Sequence, residues 1–356
     1  MPLSSGAQAF VKEMNARLKE ELLVSADQLA IPARFTTGSP SIDVILGGGW
    51  PGNQWNEILG KESTGKTFLA FKTVAANQAR DPNFTTLWVC AEHYNSEWAA
   101  ALGVDNDRVV AVPTQQMETA FQVLLEATDS EEFDCIVLDS YPALLVSEEA
   151  EKAMDEFTTA AGARTFNKWQ RKAGDASRRA YDGTGRPFVG LIINQWRDKI
   201  GGFARFGVPQ TSPGGHGKDY FFYTRVDIKR KEWITEKRPG VKEPVTVGQR
   251  NVVTAVKNKS AAPQQKVELD LYVRRAPVLG FDRGQFDAAK ELFTMAELLH
   301  VFGRRGSYRT FGGDQWNGVD NTIAAIREDK GLQLALQAEV LEAAADPRRL
   351  DMLEGE

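Results

Sequence analysis

Eight consecutive residues, Gly60 to Thr67, read Gly-Lys-Glu-Ser-Thr-Gly-Lys-Thr. They satisfy the pattern G-x-x-x-x-G-K-[ST], a loop whose backbone N–H groups wrap a triphosphate. Gly60 and Gly65 let the main chain come close to phosphate oxygens, and Lys61, Glu62, Ser63 and Thr64 supply the intervening backbone donors. Lys66 neutralises the β- and γ-phosphates, and the Thr67 hydroxyl ligates Mg²⁺. Phe68 follows at the start of a helical run whose N-terminus adds partial positive charge. A ligand-free Gly-rich turn would satisfy the same pattern. The flanks decide against it: "WNEIL" before the loop reads as a strand and "FLAFKTVAANQAR" after it as a helix, the context a phosphate loop needs.

Three polar residues end apolar strand-like runs. Asp139 closes "CIVLD" and is the natural second Mg²⁺ partner. Glu92 ends "LWVCAE", where a carboxylate can orient and deprotonate an attacking water. His93 beside it reads as an exposed neighbour. Gln195 ends "VGLIINQ", and its amide could sense a γ-phosphate. Beside a phosphate loop the functional reading outweighs a turn-capping strand end for Asp139 and a solvated strand end for Glu92; Gln195, seen alone, could equally be a polar strand terminus.

After Gln195 comes a long glycine-rich stretch, "WRDKIGGFARFGVPQTSPGGHGKDY". It interleaves Arg197, Lys199 and Arg205 with Trp196, Phe203 and Phe206, a mixture suited to a single-stranded nucleic acid groove. Upstream, Arg164, Lys168 and Arg171 share one helical face. A solvated face would read the same way. The whole chain carries a net charge of −5, which argues weakly against nucleic acid. Residues 151–230, however, hold 15 basic and 8 acidic side chains, while the last sixteen hold five acids and two arginines. A basic middle and an acidic tail are consistent with a guarded polyanion site, and equally with ordinary surface charge.

These residues need elements to position them. Apolar strands alternating with helices indicate an α/β fold with a mainly parallel sheet, whose strand C-terminal edge is where ligands bind. Periodic apolar residues over 7–24 predict a separate N-terminal helix, followed by a turn-rich segment. "YFFYTRVDIKRKEWI", "NVVTAVKNK" and "KVELDLYV" read as later strands. The division expected is an N-terminal helix and subunit-docking arm over 1–34, a core over 35–273, and a small helical C-terminal domain with a Gly-rich turn and acidic tail over 274–356. The length, 356 residues, suffices for one large domain with appendages or for two. No apolar run approaches the ~20 residues of a membrane span, and the N-terminus lacks a basic start with an apolar block. Cys90 and Cys135 lie within apolar runs and read as core thiols. A cytoplasmic protein with no membrane partner is expected.

Taken together, the segments resemble the RecA family of recombinases, roughly from Phe35 to Lys330. "TTGSPSIDVILGGGWP", "GKESTGKT", "AEH" with "LGVD", "VLDS", "INQWRDKIG", "TSPGG", "RVDIKR" and "VKNKSAAP" occur in family order. The resemblance implies a RecA-like P-loop ATPase core that uses ATP and Mg²⁺ and forms a head-to-tail helical filament on single-stranded DNA. Such a filament pairs its strand with homologous duplex DNA, with single-strand-binding and mediator proteins as further partners. It implies that Glu92 is the catalytic carboxylate and that Gln195 couples the γ-phosphate to the DNA loop. Arg164, Arg171, Arg197 and Lys199 match DNA contacts, Ile200 and Phe206 match apolar loop residues packed on DNA, and Gly214 and Gly215 belong to the loop end. Trp98 falls where an aromatic ring stacks on adenine. Lys257 and Lys259 match lysines that reach the ATP of the neighbouring subunit and favour a filament over a ring-forming motor; an intact Glu92 disfavours a non-hydrolysing switch. The chain departs from the family pattern in several places. Lys61 replaces a proline and Phe68 a threonine, the DNA loop is slightly longer, and the segment before Phe35 matches poorly. Val252 and Thr254 stand where basic residues of a second DNA site are expected, although Lys229 and Arg230 match. This divergence is more like a phage-encoded member than a bacterial housekeeping one.

Overall fold

A computed structural model describes residues 3–19, 23, 24, 26, 31, 33–150, 161–179, 186–198, 210–215, 217–346 and 349. The first helix, α1 (Ser5–Leu18), is capped by the Ser4 hydroxyl and ends earlier than its periodicity predicts, at Lys19 in the left-handed conformation. None of its residues is buried. A ribbon of β1 (Arg34–Phe35) and β2 (Trp50–Pro51) flanks α2 (Pro40–Ile45), which is buried throughout.

The core follows as β3 (Gln54–Gly60), α3 (Lys66–Arg80), β4 (Thr86–Cys90), α4 (Ser96–Ala101), β5 (Val109–Pro113), α5 (Met117–Ser130) and β6 (Cys135–Asp139). After these come α6 (Ser147–Ala150), α7 (Ala161–Arg179), β7 (Val189–Ile193), β8 (Arg197–Asp198), β9 (Gln210–Thr211) and α8 (Gly217–Phe221). Three long strands, β10 (Thr224–Glu236), β11 (Val245–Asn258) and β12 (Lys266–Tyr272), complete it. Among the described residues, eight strands form the central sheet in the order β12-β11-β10-β3-β7-β6-β4-β5. From β10 to β5 the pairing is parallel; β11 and β12 add antiparallel strands. β4, β6 and β7 are buried at every position and apolar except for Thr86 and Asp139, because helices cover both faces of the sheet. One apolar cluster lies under α2 and α3, and a second under α5 and α7.

β5 is an edge strand that the sequence reading passed over: "VVAVP" has no alternation, and Val110 is exposed. The C-terminal segment also differs from a purely helical expectation. Between α9 (Ala288–Leu298) and the pair α10 (Val319–Glu328) and α11 (Lys330–Ala345) lies a three-stranded antiparallel meander. Its strands are β13 (Gly303–Arg305), β14 (Tyr308–Phe311) and β15 (Asp314–Asn317). The segment read as a Gly-rich turn is this meander, its two hairpin turns made at Gly306 and at Gly312 and Gly313, all at positive φ. Leu292 and Ala296 of α9 and Leu336 and Val340 of α11 share the α2–α3 cluster, so packing continues across residue 273. The end of the acidic tail, residues 350–356, lies outside the described residues.

Candidate functional site

Four strand ends meet at one edge of the sheet. β3 runs into the Gly60–Thr67 loop, β4 leads to Glu92, β6 ends on Asp139 and β7 leads to Gln195. Parallel register sets Cys90 opposite Asp139, and the N–H groups of Ala91 and Glu92 donate to the Asp139 carbonyl at 2.8 and 2.9 Å. The resulting cleft, about 490 Å³, is lined by Glu62, Ser63, Gly65, Lys66, Thr67, Phe68, Glu92, Trp98, Asp139 and Gln195, among others. The remaining loop residues shape it. Gly60 is the last residue of β3, and the Lys61 carbonyl accepts from Thr64 Oγ1 at 2.9 Å and from Lys66 Nζ at 2.7 Å.

This end sets an ammonium beside two carboxylates, and burial shifts both kinds of group. Burial lowers the Lys66 ammonium below the usual lysine range, against the pull of Glu92 and Asp139. Burial raises Asp139 to about 7; the Thr67 hydrogen bond opposes the shift, Glu92 adds to it and Lys66 opposes it. Thr67 Oγ1 donates to Asp139 Oδ2 at 3.0 Å, while Asp139 Oδ1 is buried with no hydrogen-bond partner among the described residues. A hydroxyl beside a carboxylate with one unsatisfied oxygen suits Mg²⁺, a hard cation that takes one or two protein oxygens and completes its shell with phosphates and water. Glu92 is exposed at the cleft mouth, and its Oε1 accepts from the Ser140 hydroxyl.

The other end of the cleft is aromatic. Trp98 on α4 lies 6.1 Å from the Phe68 ring, which packs edge-on against Phe286 at 4.9 Å. Leu271 and Val273 line the same end, and the Arg283 guanidinium lies 4.1 Å from the Trp98 ring centroid. The sequence reading placed Trp98 and missed Arg283, because no motif links residues so far apart.

A buried polar frame holds the long loop at both ends, and it too was missed. Arg225 Nε donates to Glu57 Oε2 at 2.5 Å, and its Nη atoms reach Asp219 Oδ1 at 2.7 Å and Ser212 Oγ at 3.3 Å. Asn194 Nδ2, one residue before Gln195, donates to Glu57 Oε1 at 2.7 Å and to the Pro213 carbonyl at 3.1 Å. Burial pushes the Glu57 carboxyl up, and Arg225 pulls it back. The available signal was the charge itself: Glu57 interrupts the apolar strand "WNEIL", and a fully buried carboxylate requires a partner.

Arg164 and Arg171 are exposed on α7 and line a second cleft, about 1040 Å³, with Tyr220 and Lys259. Lys168 is exposed on the same helix. Arg197 is exposed on β8, which pairs with β9 at the stalk of the loop. Gly214 and Gly215 close the loop against α7. A Cβ on Gly214 would meet the Phe166 ring at 2.8 Å, so only glycine permits that approach. Lys199, Ile200 and Phe206 lie outside the described residues.

Lys257 and Lys259 do not line the nucleotide cleft of their own chain. Lys257 Nζ donates to the carbonyls of Asp219, Tyr220 and Phe222 at 2.6, 3.2 and 2.5 Å. Lys259 Nζ approaches the Tyr220 carbonyl at 3.4 Å and lies over the Tyr223 ring at 5.5 Å. Burial, then Lys259 and Arg225, lower Lys257 to about 8. Lys229 pairs with Asp227 at 3.0 Å, and Arg230 lies 4.1 Å from the Trp233 ring centroid. Cys90 and Cys135 are buried free thiols, as expected. No helix among the described residues is long and apolar enough to cross a membrane.

Comparison with known proteins adds the family. The model of the RecA N-terminal domain matches residues 10–276. Protein RecA of Acidothermus cellulolyticus is 31% identical over 347 residues, covering 96% of this chain and 93% of that protein. Protein RecA of Kineococcus radiotolerans is 32% identical over 319 residues, 88% of this chain and 84% of the relative. Protein RecA of Deinococcus radiodurans is 31% identical over 316 residues, 86% and 79% respectively.

Proposed function

The chain belongs to the RecA family, and from that premise we propose that it is an ATP- and Mg²⁺-dependent recombinase. It forms a helical filament on single-stranded DNA and pairs that strand with homologous duplex DNA, in recombination and repair. The observation that carries this reading is the convergence at one sheet edge of the phosphate loop, Glu92, the Thr67–Asp139 pair and Gln195. From that same edge, β7 leads directly into the basic, aromatic loop.

The reaction follows from what each side chain can do. Lys66 exchanges the Lys61 carbonyl for the β- and γ-phosphates, a stronger acceptor for an ammonium held in a half-buried site. Thr67 and Asp139 would hold Mg²⁺, which supplies charge neutralisation on the phosphates when bound. Glu92 orients the attacking water and takes its proton. Gln195 reads the γ-phosphate, and the neighbouring Asn194, tied to Pro213 and Glu57, passes any shift of that strand end to the loop's return.

On DNA, Arg164, Arg171, Arg197 and Lys199 contact phosphates, Ile200 and Phe206 pack against bases, and the loop end at Gly214 and Gly215 follows the backbone. Lys229 and Arg230 serve a second DNA site weakened by Val252 and Thr254. Self-assembly is head-to-tail and does not close, which gives an open helix. Three features support it. The arm over 1–34 carries a helix with no buried residue and with Phe10 exposed. β5 offers an edge. Lys257 and Lys259, which do not line their own chain's P-loop cleft, can serve that of another copy once they leave the carbonyls of Asp219, Tyr220 and Phe222. Single-strand-binding and mediator proteins are the further partners, and the cytoplasm, bacterial or phage-infected, is the compartment.

Electron microscopy of the chain with ATP, Mg²⁺ and single-stranded DNA is the test. Helical filaments are expected, and hexameric rings or isolated monomers would refute the reading. On the DNA side, replacing Arg164, Arg171 or Arg197 by Ala should reduce the salt slope of single-strand binding by roughly one charge each. An unchanged slope in all three would make α7 and β8 mere surface.

A further inference from the structure

Beside the aromatic end of the cleft, over the Trp98 ring that lines it, lies a cation that phosphate chemistry does not call for. Arg283 lies in the turn between β12 and α9, and that turn is fixed on two sides. The Gly284 N–H donates to the Tyr272 carbonyl at 2.7 Å, and the Tyr272 N–H to the Gln285 carbonyl at 2.9 Å. The Asp282 N–H donates to Gln285 Oε1 at 2.9 Å. On the opposite side Gly284, at φ +89°, is pressed against the end of α4. A Cβ there would stand 2.6 Å from Leu102 Cδ2 and 2.9 Å from the Ala101 carbonyl oxygen. The backbone at residue 283 is thereby held beside the helix that carries Trp98. The side chain is exposed, and its guanidinium lies over the indole, 4.1 Å from the ring centroid.

We propose that Arg283 is a specificity-determining clamp for the nucleobase: a purine stacked on Trp98 is covered on its outer face by the Arg283 guanidinium. This rests on the nucleotide reading of the cleft. A guanidinium is planar, weakly hydrated and stacks on aromatic faces, so it can cap a base as readily as it caps an indole. At 4.1 Å it occupies one stacking layer on Trp98. An entering base takes that layer and displaces the guanidinium outward by about one ring thickness, ~3.5 Å. A long, exposed arginine stem can follow this shift while the pinned turn stays still. The purine is then held between an electron-rich indole and a cation, and its two fused rings give both faces more overlap than a pyrimidine would. Lysine has the charge but no plane to stack.

Calorimetric titration of the full chain with Mg²⁺ and either ATP or inorganic tripolyphosphate tests the clamp, with thermal unfolding as a check that the variants fold. R283A should bind ATP about threefold to tenfold more weakly and tripolyphosphate unchanged. Its ATPase should show the loss in KM with kcat near normal. R283K should remain as weak as R283A toward ATP, because the charge returns without the plane. Unchanged or tighter ATP binding by R283A would overturn the clamp and leave the guanidinium a bystander or competitor. Equal loss of ATP and tripolyphosphate would also overturn it, since the cation would then be acting on phosphates. Failure of the unmodified chain to bind either ligand would instead remove the nucleotide reading, and the clamp with it.

Discussion

The two ends of the nucleotide cleft are built on different plans. The loop end is assembled from eight consecutive residues and three strand termini, with Lys66, Thr67 and Asp139 tied to fixed partners, and on the proposed reading it binds phosphates through main-chain N–H groups and those side chains. The aromatic end collects Phe68, Trp98 and Leu271 from distant parts of the core, with Arg283 from beyond the last strand laid over Trp98, and on the proposed reading a base is held there by stacking. A directional, charged site tolerates little change, because an unpaired buried charge is costly. A stacked site tolerates more, because dispersion and cation–π contacts are individually modest. The phosphate end should therefore control whether the reaction happens, and the base end which nucleotide takes part.

The largest effect that would sharpen this contrast is expected at Glu92. Glu92→Gln should slow ATP turnover by on the order of 10²–10⁴-fold while leaving ATP affinity nearly unchanged. Single-turnover hydrolysis beside a binding titration measures both, and normal turnover would remove Glu92 from the chemistry. Lys66→Ala should come next, weakening ATP and tripolyphosphate alike by about a hundredfold, since the ammonium acts only on phosphates. A loss confined to ATP would place Lys66 at the wrong end. Trp98→Ala should cost roughly tenfold in ATP affinity and nothing for tripolyphosphate. If both ligands weakened together, the division of labour between the ends would fail.

The smallest effect concerns how the base end is supported. The turn bearing Arg283 leads into α9, whose Glu291 is fully buried against the start of α2. Its carboxylate accepts hydrogen bonds from the Ser39 and Ser41 hydroxyls and the Ser41 N–H, while Oε1 has no partner among the described residues. Burial raises Glu291 from 4.5 to about 7, with the serine hydrogen bonds opposing the shift. A carboxyl raised on folding takes up protons from the native side, so its contribution to stability is fully present below about 4.5 and is lost as pH rises through about 7. Tm measured from pH 5 to 8 should therefore fall less steeply in Glu291→Gln than in the unmodified chain. Tripolyphosphate binding at pH 7 should be the same in both. Parallel pH profiles would show that Glu291 does not titrate in this window.

Much of this site could be read from the chain alone, for a physical reason. The phosphate loop is contiguous, so its glycines, lysine and threonine carry their geometry with them wherever a strand–loop–helix unit forms. Asp139, Glu92 and Gln195 could be placed because parallel strands under two helical layers must be apolar until they emerge, and they emerge at one shared edge. The core thiols and the absence of an apolar spanning helix among the described residues follow from the same patterning. Which strands neighbour one another could not be read. Periodicity is a local quantity, whereas the order β12-β11-β10-β3-β7-β6-β4-β5 is a property of the whole sheet. That order brings Arg225 to Glu57, sets Asn194 against the loop's return, and carries Arg283 from beyond the last strand onto Trp98. It also settles the edge position of "VVAVP"; the meander within a nominally helical segment forms a sheet of its own, and Lys257 is tied to the carbonyls beside α8 by tertiary contact. Types and spacings decided which groups could do chemistry on a triphosphate. Only the assembled sheet decided which distant groups lie around the rest of that cleft, because stacking and buried ion pairs exist only once their two halves have been brought together.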